Sequence, residues 1–141
     1  MLTLSDANRL IEAAFAEAAR RQLKPLTVAV LDAGGTLLAF QRQGTGVVLA
    51  RPEIAIGKAR ITLAQGTASS RRSADTALQR PNFTQGLLAS FGGPLMPVPG
   101  GLAITGGGTV VGAVGISGDT SDNDEAVAMA SVQAIGREAE V

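Results

Sequence analysis

The chain has 141 residues, of which 45% are hydrophobic and 17% charged, and its 12 basic side chains balance 12 acidic ones. That length suits one domain, taken as residues 1–141, and zero net charge leaves no electrostatic footprint for nucleic acid or an anionic membrane. The absence of Cys and His excludes disulfides, thiolate catalysis and zinc-thiolate centres, and removes the usual general base at neutral pH.

Trp and Tyr are missing as well, so any chemistry must come from carboxylates, Lys, Arg, Ser/Thr or backbone groups. The N-terminal residues lack the basic stretch and apolar core of a signal peptide. No apolar run approaches the roughly 18 residues that cross a bilayer. A soluble cytoplasmic protein is expected.

In chain order, LSDANRLIEAAFAEAARRQ reads as an amphipathic helix capped by Ser5, with Leu10, Ile11, Ala14, Phe15 and Ala18 as its apolar stripe. Lys24-Pro25 is the expected end, because a residue before proline avoids helical geometry. LTVAVLD and TLLAFQR flank an Asp-Ala-Gly-Gly turn and read as a β-hairpin. QGTGVVLAR is a loop, and PEIAIGKARITLAQG is a helix with Pro52 in its first turn. Residues 66–96 hold short helical pieces without legible boundaries. GLAI and TVVGAVGIS form a second hairpin, and SDNDEAVAMASVQAIGRE is a closing helix capped by Ser121 or Asp122. Hairpins rather than helical crossovers join the strands. The expected class is therefore α/β in the α+β sense, a mainly antiparallel sheet flanked by helices.

Glycine is concentrated in PVPGGLAITGGGTVVGAVGISGDTSDNDE, residues 97–125. A phosphate loop needs its glycines between a strand and a helix N-terminus, whereas Gly106-Gly107-Gly108 lies between two strands. The cluster is read as a turn. Alternation on the following strand groups Val110, Gly112, Val114 and Ile116 on one face and Val111, Ala113, Gly115 and Ser117 on the other. Small residues there admit a close neighbour, expected to be the last helix through Ala126, Ala130 and Ala134. Gly100 and Gly101, after Pro97 and Pro99, either present amides to an anion or simply turn the chain into a strand.

Lys58 is one of two lysines, and with Ile54 and Ile61 it lies on one helix face. An ammonium on an apolar stripe needs a counter-charge or a lowered pKa. It is either an anion-binding or Schiff-base lysine, or a packed stem whose amine reaches water. Glu53 in the same helix's first turn suits the helix dipole or a proton-transfer role. Arg42 at a strand end suits a carboxylate clamp or a surface position. Asp32 suits an Asx-turn or a ligand contact. In the acidic run, Asp119, Asp122, Asp124 and Glu125 lack calcium-loop spacing and are read mainly as helix-capping groups, with Asp124 a ligand-contact candidate and Glu125 a pocket acid. Arg20-Arg21 and Arg71-Arg72 are read as solvated helix faces.

Taken together, VAVLDAGGTLLAFQR, PEIAIGKA, PVPGGLAI and VVGAVGISGDTSDNDEAVA resemble the GlcG/HbpS-like proteins, which include the C-terminal domain of PduO-type cobalamin adenosyltransferases. The resemblance covers almost the whole chain. It implies a profilin-like fold, homo-oligomers from dimer to octamer, and haem or another tetrapyrrole as ligand for some members. Its motif positions here are Asp32, Arg42, Glu53, Lys58, Pro99, Gly100, Gly101, Gly112, Gly115, Ser117, Gly118, Asp124 and Glu125. The departure is the iron ligand: without His, Cys or Tyr, only Met1, Met96 and Met129 are of the usual kinds. The cofactor is left open. Two functions follow: a small-molecule-binding oligomer with a tetrapyrrole ligand, or a catabolic enzyme acting on a small carboxylate. In the enzyme, Lys58 and Arg42 would orient the substrate and Glu53, Asp124 or Glu125 would move a proton.

Overall fold

A computed structural model describes residues 1–45 and 48–141. The elements run α1 (Leu4–Arg20), β1 (Thr27–Asp32), β2 (Leu37–Arg42), α2 (Arg51–Gln65), α3 (Ser70–Gln79), α4 (Pro81–Ser90), β3 (Gly101–Gly106), β4 (Thr109–Ser117) and α5 (Ser121–Ala134). The four strands form one antiparallel sheet in the order β2-β1-β4-β3. The expected α+β architecture is what the chain adopts. Gly46 and Val47, within the QGTGVVLAR loop, lie outside the described residues.

Helix boundaries differ from the sequence reading for local reasons. Thr3, not Ser5, caps α1: its hydroxyl accepts from the Asp6 amide while the Asp6 carboxylate accepts from the Thr3 amide. The helix stops at Arg20, well before Pro25. Gln22 takes a left-handed φ of 57°, and the Gln22 and Leu23 amides donate back to the Ala19 and Ala18 carbonyls. Thr120, not Ser121 or Asp122, caps α5 by accepting from the Asn123 amide. In the middle region α3 and α4 are separate helices, with Ser69 capping the first and Pro81 opening the second.

One face of the sheet buries Val28, Val30, Leu102, Ile104, Val114 and Ile116 against the apolar stripes of α1 and α5. The other face is covered by α2, where Leu31 and Ala113 meet Ala59. A bulge leaves Val111 without a partner on β3, since Thr105 pairs with Val110 and Ile104 with Gly112. Val111 therefore joins the α1/α5 side, which reverses the assignment made for it from strict alternation, and Val110 is exposed.

The glycine-bearing face is in contact with α2 rather than α5. A Cβ on Gly115 would lie 1.9 Å from the Ala55 carbonyl oxygen, and one on Gly101 would lie 2.0 Å from that of Lys58. Ala126, Ala130 and Ala134 lie on the less buried side of α5, which packs instead through Val127, Ala128, Ser131 and Val132. The turn reading of the glycine cluster is correct: Gly107 and Gly108, both with positive φ, make a two-residue hairpin turn. Gly107→Ala should cost about 1–2 kcal/mol from backbone strain alone. Gly115→Ala should cost about 3 kcal/mol or more, because helix backbone must move. Urea unfolding of the two variants checks this order.

Candidate functional site

The most constrained cluster sits where the end of β4, the middle of α2 and the first turn of α5 converge. Lys58 is buried, and its Nζ donates to the Ile116 carbonyl at 2.9 Å and to Asp124 Oδ2 at 3.0 Å. Asp124 is equally buried, and its other oxygen accepts from the Asp119 amide at 3.0 Å. Burial pushes the Lys58 ammonium below its ordinary pKa and the Asp124 carboxyl above its own, each opposed by the charge of the other. The counter-charge demanded by an ammonium on an apolar stripe is thus Asp124. Gly100 makes room for it, since a Cβ there would lie 2.9 Å from Nζ.

Other candidates sit around this pair at different depths. The Gly101 amide donates to Ser70 Oγ at 2.7 Å, so it joins β3 to α3. Glu125 accepts from Arg71 Nε at 2.9 and 3.1 Å, and Arg71 also pairs with Asp122. Arg71 is therefore a clasp between α3 and α5 rather than part of a solvated face. Arg72 reaches Glu140 and the final carbonyl, while Arg20 and Arg21 pair with Glu17. Glu53 is exposed on α2, away from the buried face that carries Lys58. Asp32 forms an Asx-turn, its Oδ1 accepting from the Gly34 and Thr36 amides at 3.0 Å. It also borders an apolar hollow of about 590 Å³ with Leu2, Leu38 and Val111.

Arg42 belongs to a row across the sheet. Thr27 pairs with Arg42 on one side and Ser117 on the other, so the three side chains share the α2 face. The helix supplies a second cation there: Arg51 Nη1 donates to Ser117 Oγ at 3.0 Å. Among the described residues neither arginine has a carboxylate within ion-pair distance. Arg42 lines a hollow of about 280 Å³ with Val48, Leu49 and Pro52, and Leu49 is 92% exposed. Two cations beside exposed aliphatic side chains form an edge suited to an amphiphilic anion. Nothing local in the chain marks Arg51, whose place follows from its hydrogen bond to Ser117 across 66 positions.

The buried Lys58–Asp124 tie thus lies beneath an arginine-lined edge in an α+β domain. The family model described as haem degrading protein HbpS-like matches residues 2–133, and the chain belongs to that family. A PduOC:haem complex is 28% identical over 100% of this chain and 99% of its own, with a TM-score of 0.85. HbpS of Streptomyces reticuli, as a double mutant, is 27% identical over 94% of this chain and 86% of its own, at 0.79. Klebsiella pneumoniae protein ORFY, 23% identical over 95% and 90%, shares the fold at 0.83. No curated protein matches the chain.

The residues present suit the rim of a tetrapyrrole and not its iron. Met96 packs against Gly57, Met129 lies against the core, and Met1, almost fully exposed, borders the hollow beside Asp32. None of the three lines the Arg42 hollow. No helix among the described residues is long and apolar enough to cross a membrane.

Lys58→Met should lower stability by about 3–5 kcal/mol, since it strands a buried carboxylate. Adding Asp124→Leu should recover part of that loss, which a double-mutant cycle in urea measures. Asp119, held by Asn123, Lys24 and Thr120, has its pKa lowered to about 2. Its stabilising contribution is present above the unfolded value of 3.8 and is lost as pH falls through about 2. A carboxyl NMR titration should show that midpoint, and Asn123→Ala should raise it.

Proposed function

We propose that this protein binds a tetrapyrrole-class molecule through its carboxylates, at the edge formed by Arg42, Arg51 and Ser117. The observation that carries the proposal is the pair of arginines that, among the described residues, have no carboxylate partner and lie beside exposed Val48 and Leu49, in a chain of the HbpS-like family. The haem complex of the PduOC relative supports the ligand class. In this reading Arg42 and Arg51 take the propionate-type carboxylates, while Val48, Leu49 and Pro52 pack on the macrocycle's apolar rim. Lys58 and Asp124 act beneath, fixing the end of β4 and so the place of Ser117. The proposal includes a homo-oligomer, supported by the place of β2 at the sheet edge, unpaired on its outer side among the described residues, and by its half-exposed Leu37.

The enzyme reading draws less support. Lys58 Nζ already has two protein acceptors, Glu53 is on another side of α2, and Glu125 is engaged by Arg71.

Parallel titrations with haemin and metal-free protoporphyrin test the proposal. Both should saturate at the same stoichiometry with similar affinity, because the carboxylates and rim carry the binding. Replacing Arg42 and Arg51 together by Ala should weaken both about tenfold or more, each lost charge-assisted contact being worth roughly 1.5–3 kcal/mol before ligand rearrangement. Non-saturating responses to both would refute the ligand class. Tight haemin binding with no porphyrin binding would show that the iron, not the rim, is recognised.

A further inference from the structure

A second feature stands apart from the arginine edge, where α2, α3 and α4 meet. A hollow of about 340 Å³ opens there, bordered by Ala64, Gln65, Thr76, Arg80, Phe83 and Leu87. That volume falls within the roughly 300–1,000 Å³ typical of small-molecule pockets.

The Arg80 guanidinium lies over the Phe83 ring, 4.3 Å from its centroid. Stacking occupies the guanidinium's face and leaves its N–H edges free, which is the geometry that receives a carboxylate through two parallel hydrogen bonds. Among the described residues no carboxylate pairs with Arg80. Arg80 also precedes the first turn of α4 without capping it through its side chain, so that turn adds positive potential. The walls are apolar at Ala64, Leu87 and the exposed part of Phe83.

Gln65 supplies an independent observation. Its Oε1 is enclosed and, among the described residues, has no hydrogen-bond donor, an arrangement that costs free energy. The amide turns easily about its last torsion, so a hydroxyl on a molecule seated against Arg80 could satisfy it.

We infer that this hollow is a binding site for a small hydroxy-monocarboxylate with an aromatic or branched apolar body. The carboxylate sits on Arg80, the apolar body lies against Phe83 and Leu87, and the hydroxyl donates to Gln65. The site does not depend on the tetrapyrrole reading, because none of its residues belongs to the Arg42–Arg51 edge.

The experiment is an NMR titration of the isotopically labelled protein with phenyllactate, hydrocinnamate and hydrocinnamamide. Phenyllactate should give saturable shifts confined to residues around 64–65, 76 and 80–87. Hydrocinnamate should bind about tenfold more weakly for want of the hydroxyl, and the uncharged amide more weakly still. Arg80→Gln, a surface change that leaves the spectrum dispersed, should weaken both acids about tenfold or more. Gln65→Leu should erase the preference for phenyllactate while leaving hydrocinnamate binding intact. Shifts elsewhere in the molecule, or equal binding to wild type and Arg80→Gln, would overturn the inference.

Discussion

The close seating of α2 on the sheet is the constraint on which the rest of the molecule depends. It is possible only because Gly101 and Gly115 have no side chains, which lets helix carbonyls come within 1.9 and 2.0 Å of where a Cβ would lie. That proximity carries Lys58 into the interior, where desolvation would be prohibitive without Asp124 and the Ile116 carbonyl. The ion pair then ties three elements at one point: α2, the end of β4 and the first turn of α5.

The arginine edge grows from the same geometry one layer outward. Because Ser117 is fixed at the end of β4, Arg51 reaches it from the start of α2, and sheet pairing puts Arg42 on the same face. The Arg51 guanidinium is thus held by Ser117, and among the described residues no carboxylate pairs with it or with Arg42. On the far side, Arg71 joins α3 to α5 through Glu125 and Asp122, so the acidic run after β4 serves three separate tasks. Asp119 and Thr120 shape the turn, Asp124 neutralises Lys58, and Asp122 and Glu125 engage α3.

Much of this was legible in the sequence because it is periodic or local. The α1 stripe, the two hairpins, the Gly107-Gly108 turn, the Asp32 turn and the placing of Pro52 each rest on a few adjacent residues. Lys58 was conspicuous as a charge on an apolar stripe, and the resemblance already included Asp124. Its direct pairing with Lys58 joins residues 66 positions apart and has no local signature. The same holds for Arg71 with Glu125 and for Arg51 with Ser117. The choice of α2 over α5 as the close neighbour was invisible for another reason. Small residues on a helix show that close packing is allowed, not where it happens, and in α2 Ala55, Gly57 and Ala59 were masked by the larger residues between them. The bulge at Val111 defeated strict alternation in the same way.

The most direct measurement is a crystal structure of the protein with a metal-free porphyrin bound. The account predicts porphyrin carboxylates within hydrogen-bond distance of Arg42 and Arg51, with Val48 and Leu49 against the ring edge and the Lys58–Asp124 pair intact beneath. A porphyrin seated elsewhere, or one that reaches its place by breaking that pair, would contradict it.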